Sequence, residues 1–423
     1  MDLLIEKMVR ELAMAARPAA RSLAVVSSEV KDRALTAMAD MLWSGRAAIL
    51  SANALDLADA KAERHPPAFL DRLALDEIRV EKMVAGVRHV AGLPDPVGEI
   101  TGMWRRPSGL LIGRMRVPLG VIGVIYEARP GVTADAAALC LKSGNAVILK
   151  GGREAIRSNG VISGLLAEAA AAAGLPKGCV GFIDSVDREA VAHLLGLAGL
   201  VDLIIPRGGE ELIRTVQRTS AIPVLAHEKG LCHIYVDDGA DLTMAEEIAF
   251  NAKVERPGVC NAMETLLVHE RVASDFLPAA IRRLRESNVE VRGCPRTQAL
   301  IPDVAAATEA DWDTEYLDLI LSVKVVSSFD EAVAHIAEHG SGLAEAIVTA
   351  DHARAMRFLR EVDAGAVLVN ASTRFTDGGE FGMGAEMGIS TQKLHARGPV
   401  GLTELTCQKF IVLGEGQVRD SRR

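Results

Sequence analysis

From Gly120 onward, short runs of β-branched and aliphatic residues alternate with helical stretches, and this pattern constrains the fold more than any other feature of the sequence. Runs at 121–126, 146–149, 180–183, 203–205 and 234–236 are separated by stretches of helical composition at 134–141, 158–173, 188–195 and 210–218. Strands joined through helices cross over and pair in parallel, so this part predicts a parallel α/β sheet. A helical stretch at 242–253 stops at Pro257-Gly258. The alternation then resumes at 265–268, 276–286, 289–292, 320–326, 331–338, 346–348, 353–362 and 366–369. A second parallel α/β domain is therefore predicted to begin near Asp237, which suits a chain of 423 residues.

Ahead of the alternation, residues 2–62 are Ala-rich, with Ala34, Leu35, Met38, Met41 and Leu42 at helical spacing, and predict two or three amphipathic helices. Two segments fit neither layer. Residues 98–117 read as a β-hairpin turning at Pro107-Ser108-Gly109, and the chain after Ala371 is Gly-rich and polar before a short strand at 409–413. Each reads either as an arm that pairs with another subunit or as an edge element of the same monomer.

Composition narrows the function classes. Forty-seven basic against 56 acidic residues give a net charge of −9 with no run of like charge, which argues against nucleic acid as the main partner. The six cysteines form no CxxC pair and the ten histidines no HExxH pattern, so neither disulfides nor a metal site is expected. The amino terminus is charged and no apolar run approaches the roughly 20 residues that span a bilayer, so a cytoplasmic chain is expected.

Neither GxGxxG nor a P-loop is present, so a nucleotide must be held another way. Two turns offer one: Lys150-Gly151-Gly152-Arg153 and Arg207-Gly208-Gly209, each placing glycine-flanked amides and a cation after a strand, where open α/β sheets bind phosphate. Either also reads as a plain turn. Cys260 follows a helix and the Pro-Gly breaker, on a loop where the start of a short helix and Arg256 would favour a thiolate. The stretch from Asn370 to Gly379 presents an amide, hydroxyls and Arg374 after a strand; it reads as an anion-binding loop or as a solvated turn.

Longer motifs narrow these alternatives. The segments 126–130 (Tyr-Glu-Ala-Arg-Pro), 142–152 (Lys-Ser-Gly-Asn-Ala-Val-Ile-Leu-Lys-Gly-Gly), the Cys260 segment and 370–399 together closely resemble the gamma-glutamyl phosphate reductase family of the aldehyde dehydrogenase superfamily. The resemblance implies an aldehyde dehydrogenase-like α/β fold of two parallel-sheet domains and a small oligomerisation arm. In those terms residues 1–97 and 119–236 form an NADP-binding domain and 237–370 a catalytic domain. Residues 98–118 and 395–423 form the arm, and 371–394 a substrate-side loop and return segment.

The implied reaction is NADPH-dependent reduction of L-glutamyl 5-phosphate to L-glutamate 5-semialdehyde and phosphate, the second step of proline biosynthesis from glutamate. Cys260 matches the family nucleophile, Lys150 the lysine that holds the adenosine ribose, and Glu315 the glutamate that bonds the nicotinamide ribose, although Leu317 replaces the usual Phe. The Lys150 cation can favour a 2′-phosphate on the adenosine ribose, with Arg153 a helper by its charge alone, which supports NADP over NAD; Gly151, Gly152, Arg207, Gly208 and Gly209 complete the cofactor side. Arg129, Arg256 and Arg374 are candidate partners for substrate anions and Glu127 or Asp377 for its ammonium, with Asn370 and Thr376 on the same loop as Arg374. The resemblance also implies a homo-oligomer, at least a dimer, and makes association with the glutamate 5-kinase that supplies the substrate attractive.

Two departures bear on the chemistry. The superfamily's Trp-Asn oxyanion pair falls near Tyr126-Glu127, and residues 227–230 only loosely match the stretch whose glutamate activates a deacylating water, so Glu228 is left out of the catalytic set. A general or CoA-acylating aldehyde dehydrogenase would carry much the same Cys260 and Lys150, whereas a cofactor-binding scaffold or regulatory partner would bind NADPH without thioester chemistry, a reading that the intact Cys260 segment argues against.

Overall fold

The computed structural model describes residues 2–227 and 229–419. These divide into two compact units. The first runs to Ala226 and takes back Met383–Gly388 and the chain from Val400 on; the second comprises His227–Gly382 and Ile389–Pro399.

In the first unit a four-stranded parallel sheet has the order Val180–Phe182, Ala146–Lys150, Val121–Tyr126, Leu203–Arg207. The two central strands are buried at every position, as unbroken apolar runs must be when helices cover both faces. On one face Val121, Ile125, Ile148 and Ile204 pack against Ile5, Val9, Ala13 and Ala16 of the helix Asp2–Leu23. The amino-terminal region forms three helices, Asp2–Leu23, Ser28–Ser44 and Arg46–Ala62. They are followed by two not anticipated from sequence, Pro67–Leu73 and Glu77–Gly92.

The predicted hairpin forms as Ile100–Arg105 and Leu111–Pro118. Thr406–Leu413 joins it antiparallel on the far side, making a separate three-stranded sheet with Leu111–Pro118 at its centre.

The second unit is built on a seven-stranded parallel sheet. Its order is Ala305–Ala306, Glu290–Gly293, Ile320–Val326, Met263–His269, Cys232–Val236, Ala344–Val348, Ala366–Val369. Ile234, Leu266 and Val323 face a core shared with the helices Leu242–Val254 and Glu270–Glu286. Tyr235, Leu267 and Ile347 face a second core with Phe329–His339 and His352–Glu361.

Two boundaries differ from the sequence reading. Cys232–Val236 pairs with Met263–His269 and Ala344–Val348, so the division falls at Ala226/His227 and not at Asp237. A β/α alternation reads the same whichever sheet a strand enters; pairing decides, and pairing is not written locally. The end of the chain crosses between units at 382/383, 388/389 and 399/400, so partition at 394/395 does not follow the structure. Among the described residues no helix is long and apolar enough to cross a membrane.

Candidate active site

The expected site residues fall into two groups, one in each unit. In the first unit, Lys150 ends the strand Ala146–Lys150 with its side chain buried, and its Nζ donates to the Gly151 carbonyl at 2.7 Å. Burial lowers the pKa of this ammonium, and nearby Glu154 works against that shift. Gly151 is required by space, since a Cβ there would stand 2.1 Å from the buried Asn159 Nδ2, whereas a Cβ on Gly152 would meet only the flexible end of Glu154, 2.6 Å from its Oε2. The Asn159 amide is fully buried; its oxygen accepts from Thr133, but its nitrogen has no hydrogen-bond partner. A glycine cradle, a buried cation and an unspent amide donor suit the ribose and phosphate groups of a nicotinamide dinucleotide.

Arg153 opens a short 3-10 turn beside this cradle, and its guanidinium bonds Glu63 at 2.8 Å and approaches Glu154 at 3.5 Å. Arg157 pairs with Asp56 and Asp59 at 3.2 and 2.8 Å. These residues line a concavity of about 300 Å³. Arg153, the expected helper toward a 2′-phosphate, therefore sits among carboxylates.

At the carboxyl ends of the neighbouring strands, Glu127 Oε2 accepts the Gly209 N–H at 2.9 Å, and a Cβ on Gly208 would meet the same carboxylate. Glu127 thereby helps shape the Gly208-Gly209 turn. Arg129 lies exposed just before the helix Gly131–Lys142.

In the second unit Cys260 is half-buried in the turn between Leu242–Val254 and Met263–His269, and Ala262 N–H closes the turn on the Val259 carbonyl at 3.0 Å. No helix starts at Cys260, so the anticipated helix terminus is not there to favour a thiolate; the turn leads directly into the strand Met263–His269. Arg256 is exposed on the turn.

The backbone of Cys260 is held from several sides. Cys232 Sγ donates to its carbonyl at 3.3 Å. Gly230 lies so close that an added Cβ would stand 2.2 Å from that carbonyl oxygen and 2.6 Å from Cys260 Cβ. Glu315 Oε1 in turn accepts the Gly230 N–H at 2.9 Å. Glu315 thus stands beside the thiol turn through Gly230.

On the other side Asn261 Oδ1 accepts from the Arg374 guanidinium, and its Nδ2 donates to the Thr376 carbonyl at 3.0 Å. Arg374 is largely buried and pairs with Glu255 at 3.3 Å. The Thr376 hydroxyl is fully buried without a hydrogen-bond partner, so this residue touches Asn261 through its backbone. Asn370 is elsewhere. It follows Ala366–Val369, at the opposite end of the sheet from the turn that precedes Met263–His269, and both ends of its amide bond the Thr349 backbone at 2.9 Å. Asn370 is therefore corrected to a structural residue, held with φ +54.

Glu228 lies outside the described residues. Sequence reasoning missed Gly230 and Asn261 as site residues, although both stand within segments singled out for other residues. It missed Asn159 altogether, for which the sequence holds no signal beyond an amide near a Gly-Gly turn.

A thiol on a braced turn in one unit, and a lysine-glycine cradle after a parallel strand in the other, are the parts of an enzyme that works through a cysteine and a nicotinamide cofactor. Residues 5–300 and 300–409 match the model of the aldehyde dehydrogenase family, and the chain belongs to that family, whose members use a nicotinamide cofactor. Among curated relatives it is 56% identical over 404 residues to "Gamma-glutamyl phosphate reductase" of Caldanaerobacter subterraneus, covering 96% of this chain and 98% of that one. It is 57% identical over 412 residues to the protein of the same name from Clostridium kluyveri, covering 97% and 99%. Among solved structures it superposes on the gamma-glutamyl phosphate reductase of Thermotoga maritima with TM-score 0.96 at 48% identity, covering 98% of this chain and all of that one.

Proposed function

We propose that this chain reduces L-glutamyl 5-phosphate to L-glutamate 5-semialdehyde and phosphate with NADPH, through a thioester on Cys260, as the second step of proline biosynthesis from glutamate. The observation that carries the reading is the Cys260 turn: a half-exposed sulfur whose backbone is locked by Gly230, Cys232 and the Asn261–Arg374 contact.

The Cys260 thiolate attacks the acyl phosphate carbon, its sulfur forms the new bond, and the C–O bond to phosphate breaks with the electron pair leaving on phosphate. In this reading the Cys260 backbone N–H bonds the oxyanion in this step and again when the thioester is reduced. NADPH, when bound, supplies the hydride. The reduced adduct then loses the Cys260 sulfur to give the aldehyde.

Lys150, Gly151, Gly152 and Asn159 hold the cofactor's phosphate and ribose, with the Arg207–Gly209 loop beside them. Arg153 reaches a 2′-phosphate by exchanging Glu63 for it. Glu315, which accepts the Gly230 N–H, is the partner of the nicotinamide ribose. Arg374 and Arg256 bind the substrate's anionic groups, Arg129 is a further cation for them, and Thr376 keeps Asn261 in place.

The three-stranded sheet supports self-association at least to a dimer: both outer strands are open edges, and Met103, Trp104, Phe410 and Val412 expose apolar surface there. Association with the supplying kinase rests on the instability of the acyl phosphate, and a cytoplasmic location on the chemistry proposed.

The test is acyl-enzyme trapping. With semialdehyde and NADP but no phosphate, mass spectrometry of the intact chain detects a glutamyl adduct, an acid digest places it on the Cys260 peptide, and added phosphate discharges it. No adduct, or an adduct on another residue, overturns the reading.

A further inference from the structure

Lys253 and Glu264 meet inside the second unit, Nζ to Oε2 at 2.6 Å, with both side chains out of contact with solvent. Lys253 is in the last turn of Leu242–Val254 and Glu264 is in Met263–His269, so the pair brackets the turn that carries Cys260. Two charges taken out of water cost more than they return unless their remaining hydrogen-bonding capacity is used. For stability alone an apolar pair would serve as well, and the contacts of the carboxylate show what its polar atoms add.

The second oxygen of Glu264 accepts the Leu317 N–H at 3.1 Å. Leu317 has φ +52, a left-handed conformation that a leucine holds only under constraint, and its side chain is exposed, so packing does not supply the constraint. Lys253 Nζ also lies 5.9 Å over the Tyr316 ring. Two residues before Leu317, Glu315 takes the Gly230 N–H, and Gly230 abuts the Cys260 backbone. One buried carboxylate therefore touches the loop at 315–317 while it anchors the far side of the thiol turn.

We propose that the Lys253–Glu264 pair is a positioning device for the nucleophile: Glu264, held by Lys253, fixes Leu317, and through the Glu315–Gly230 contact sets the backbone on which Cys260 stands. This rests on Cys260 being the reactive thiol. The acceptor presented to Leu317, and not the charge, is the part that acts on the sulfur.

The test compares two uncharged replacements in the full-length chain, K253M/E264Q and K253M/E264L. Neither leaves a lone buried charge, and only the first keeps an oxygen for Leu317. The readouts are the pH profile of Cys260 alkylation by iodoacetamide, without substrate or cofactor, and kcat with KM for the semialdehyde. K253M/E264Q is expected to stay within about tenfold of the native chain in both rates, while K253M/E264L loses on the order of 100-fold in kcat, the scale of an ångström's misplacement, with KM little changed. Equal behaviour of the two, whether both retain the rates or both lose them, overturns the proposal.

Replacement of Leu317 by leucic acid, which puts an ester oxygen where the N–H was and keeps the side chain and the φ the site requires, is the second variant, should either double variant fail to fold. It removes the N–H at an exposed position and leaves the pair intact. It is expected to reproduce the loss, and native rates in it overturn the proposal. If the native chain alkylates no faster at Cys260 than at the exposed Cys407, the nucleophile assignment itself fails, and the proposal with it.

Discussion

Replacing Gly230 by alanine tests how closely the thiol turn is set. An alanine Cβ there would stand 2.2 Å from the Cys260 carbonyl oxygen, 2.5 Å from its Cα and 2.6 Å from its Cβ. Two of these are backbone atoms, so no rotamer change relieves the overlap, and ordinary contact near 3.5 Å requires the segments to part by about 1 Å. Gly230 is not among the residues with positive φ, so the effect is one of space and not of alanine's backbone preference. Overpacking of this kind costs about 1–3 kcal/mol, which leaves the chain folded at 25 °C. A reacting atom displaced by an ångström loses on the order of 100-fold in rate. Gly230→Ala should therefore lower kcat for NADP reduction by semialdehyde and phosphate about 100-fold, with an unchanged circular dichroism spectrum. A kcat within about threefold of native, with unchanged alkylation of Cys260, would show that Gly230 does not set the nucleophile and refute the reasoning.

Arg374→Met should raise the Michaelis constants for acyl phosphate and semialdehyde by about 10- to 100-fold, the worth of one charge-assisted hydrogen bond; unchanged constants eliminate Arg374 as a substrate partner. Gly151→Ala drives a methyl into Asn159 Nδ2 and should weaken NADP binding, read by fluorescence titration, about tenfold while Cys260 alkylation stays native; equal affinity would remove the cradle from the cofactor site. Burial holds His335 down at about 2, with His233 and Lys324 adding to the shift, so the unfolded chain takes up a proton below about 6.5 that the folded chain refuses. Its contribution to stability is complete above pH 6.5 and is lost at about 1.4 kcal/mol per unit as pH falls below that, and urea unfolding at pH 6.5 and 5.5 should show a smaller loss in His335→Gln than in the native chain. Identical losses in the two chains would assign the acid sensitivity elsewhere.

The strands were legible where their chemistry is local. Val121–Tyr126, Ile320–Val326 and Ala366–Val369 occupy the ranges that their β-branched runs mark out. The helix Glu77–Gly92 was equally readable, since Val80, Met83, Val84, Val87 and Val90 repeat at helical spacing behind the cap Asp76, but it stands outside the β/α alternation. The assignment of Cys232–Val236 to the second sheet depends on partners remote in the chain and had no local mark.

The site divides the same way. Cys260 and Lys150 announce themselves by their neighbours, whereas the braces of the thiol come from Gly230, Glu315 and Arg374, which only folding brings to it. Part of what made the motifs specific is architectural. Lys142 is buried and donates to the Ala91 carbonyl at 2.7 Å, and Asn145 joins Gly120 to Leu405.

The most direct test of the central claim is the reverse reaction: NADP reduction by L-glutamate 5-semialdehyde, with and without phosphate, for the native chain and Cys260→Ala. A rate that requires phosphate and vanishes in the variant is the result predicted for an acyl phosphate reductase working through a Cys260 thioester. A rate indifferent to phosphate, or one that survives in Cys260→Ala, would contradict it.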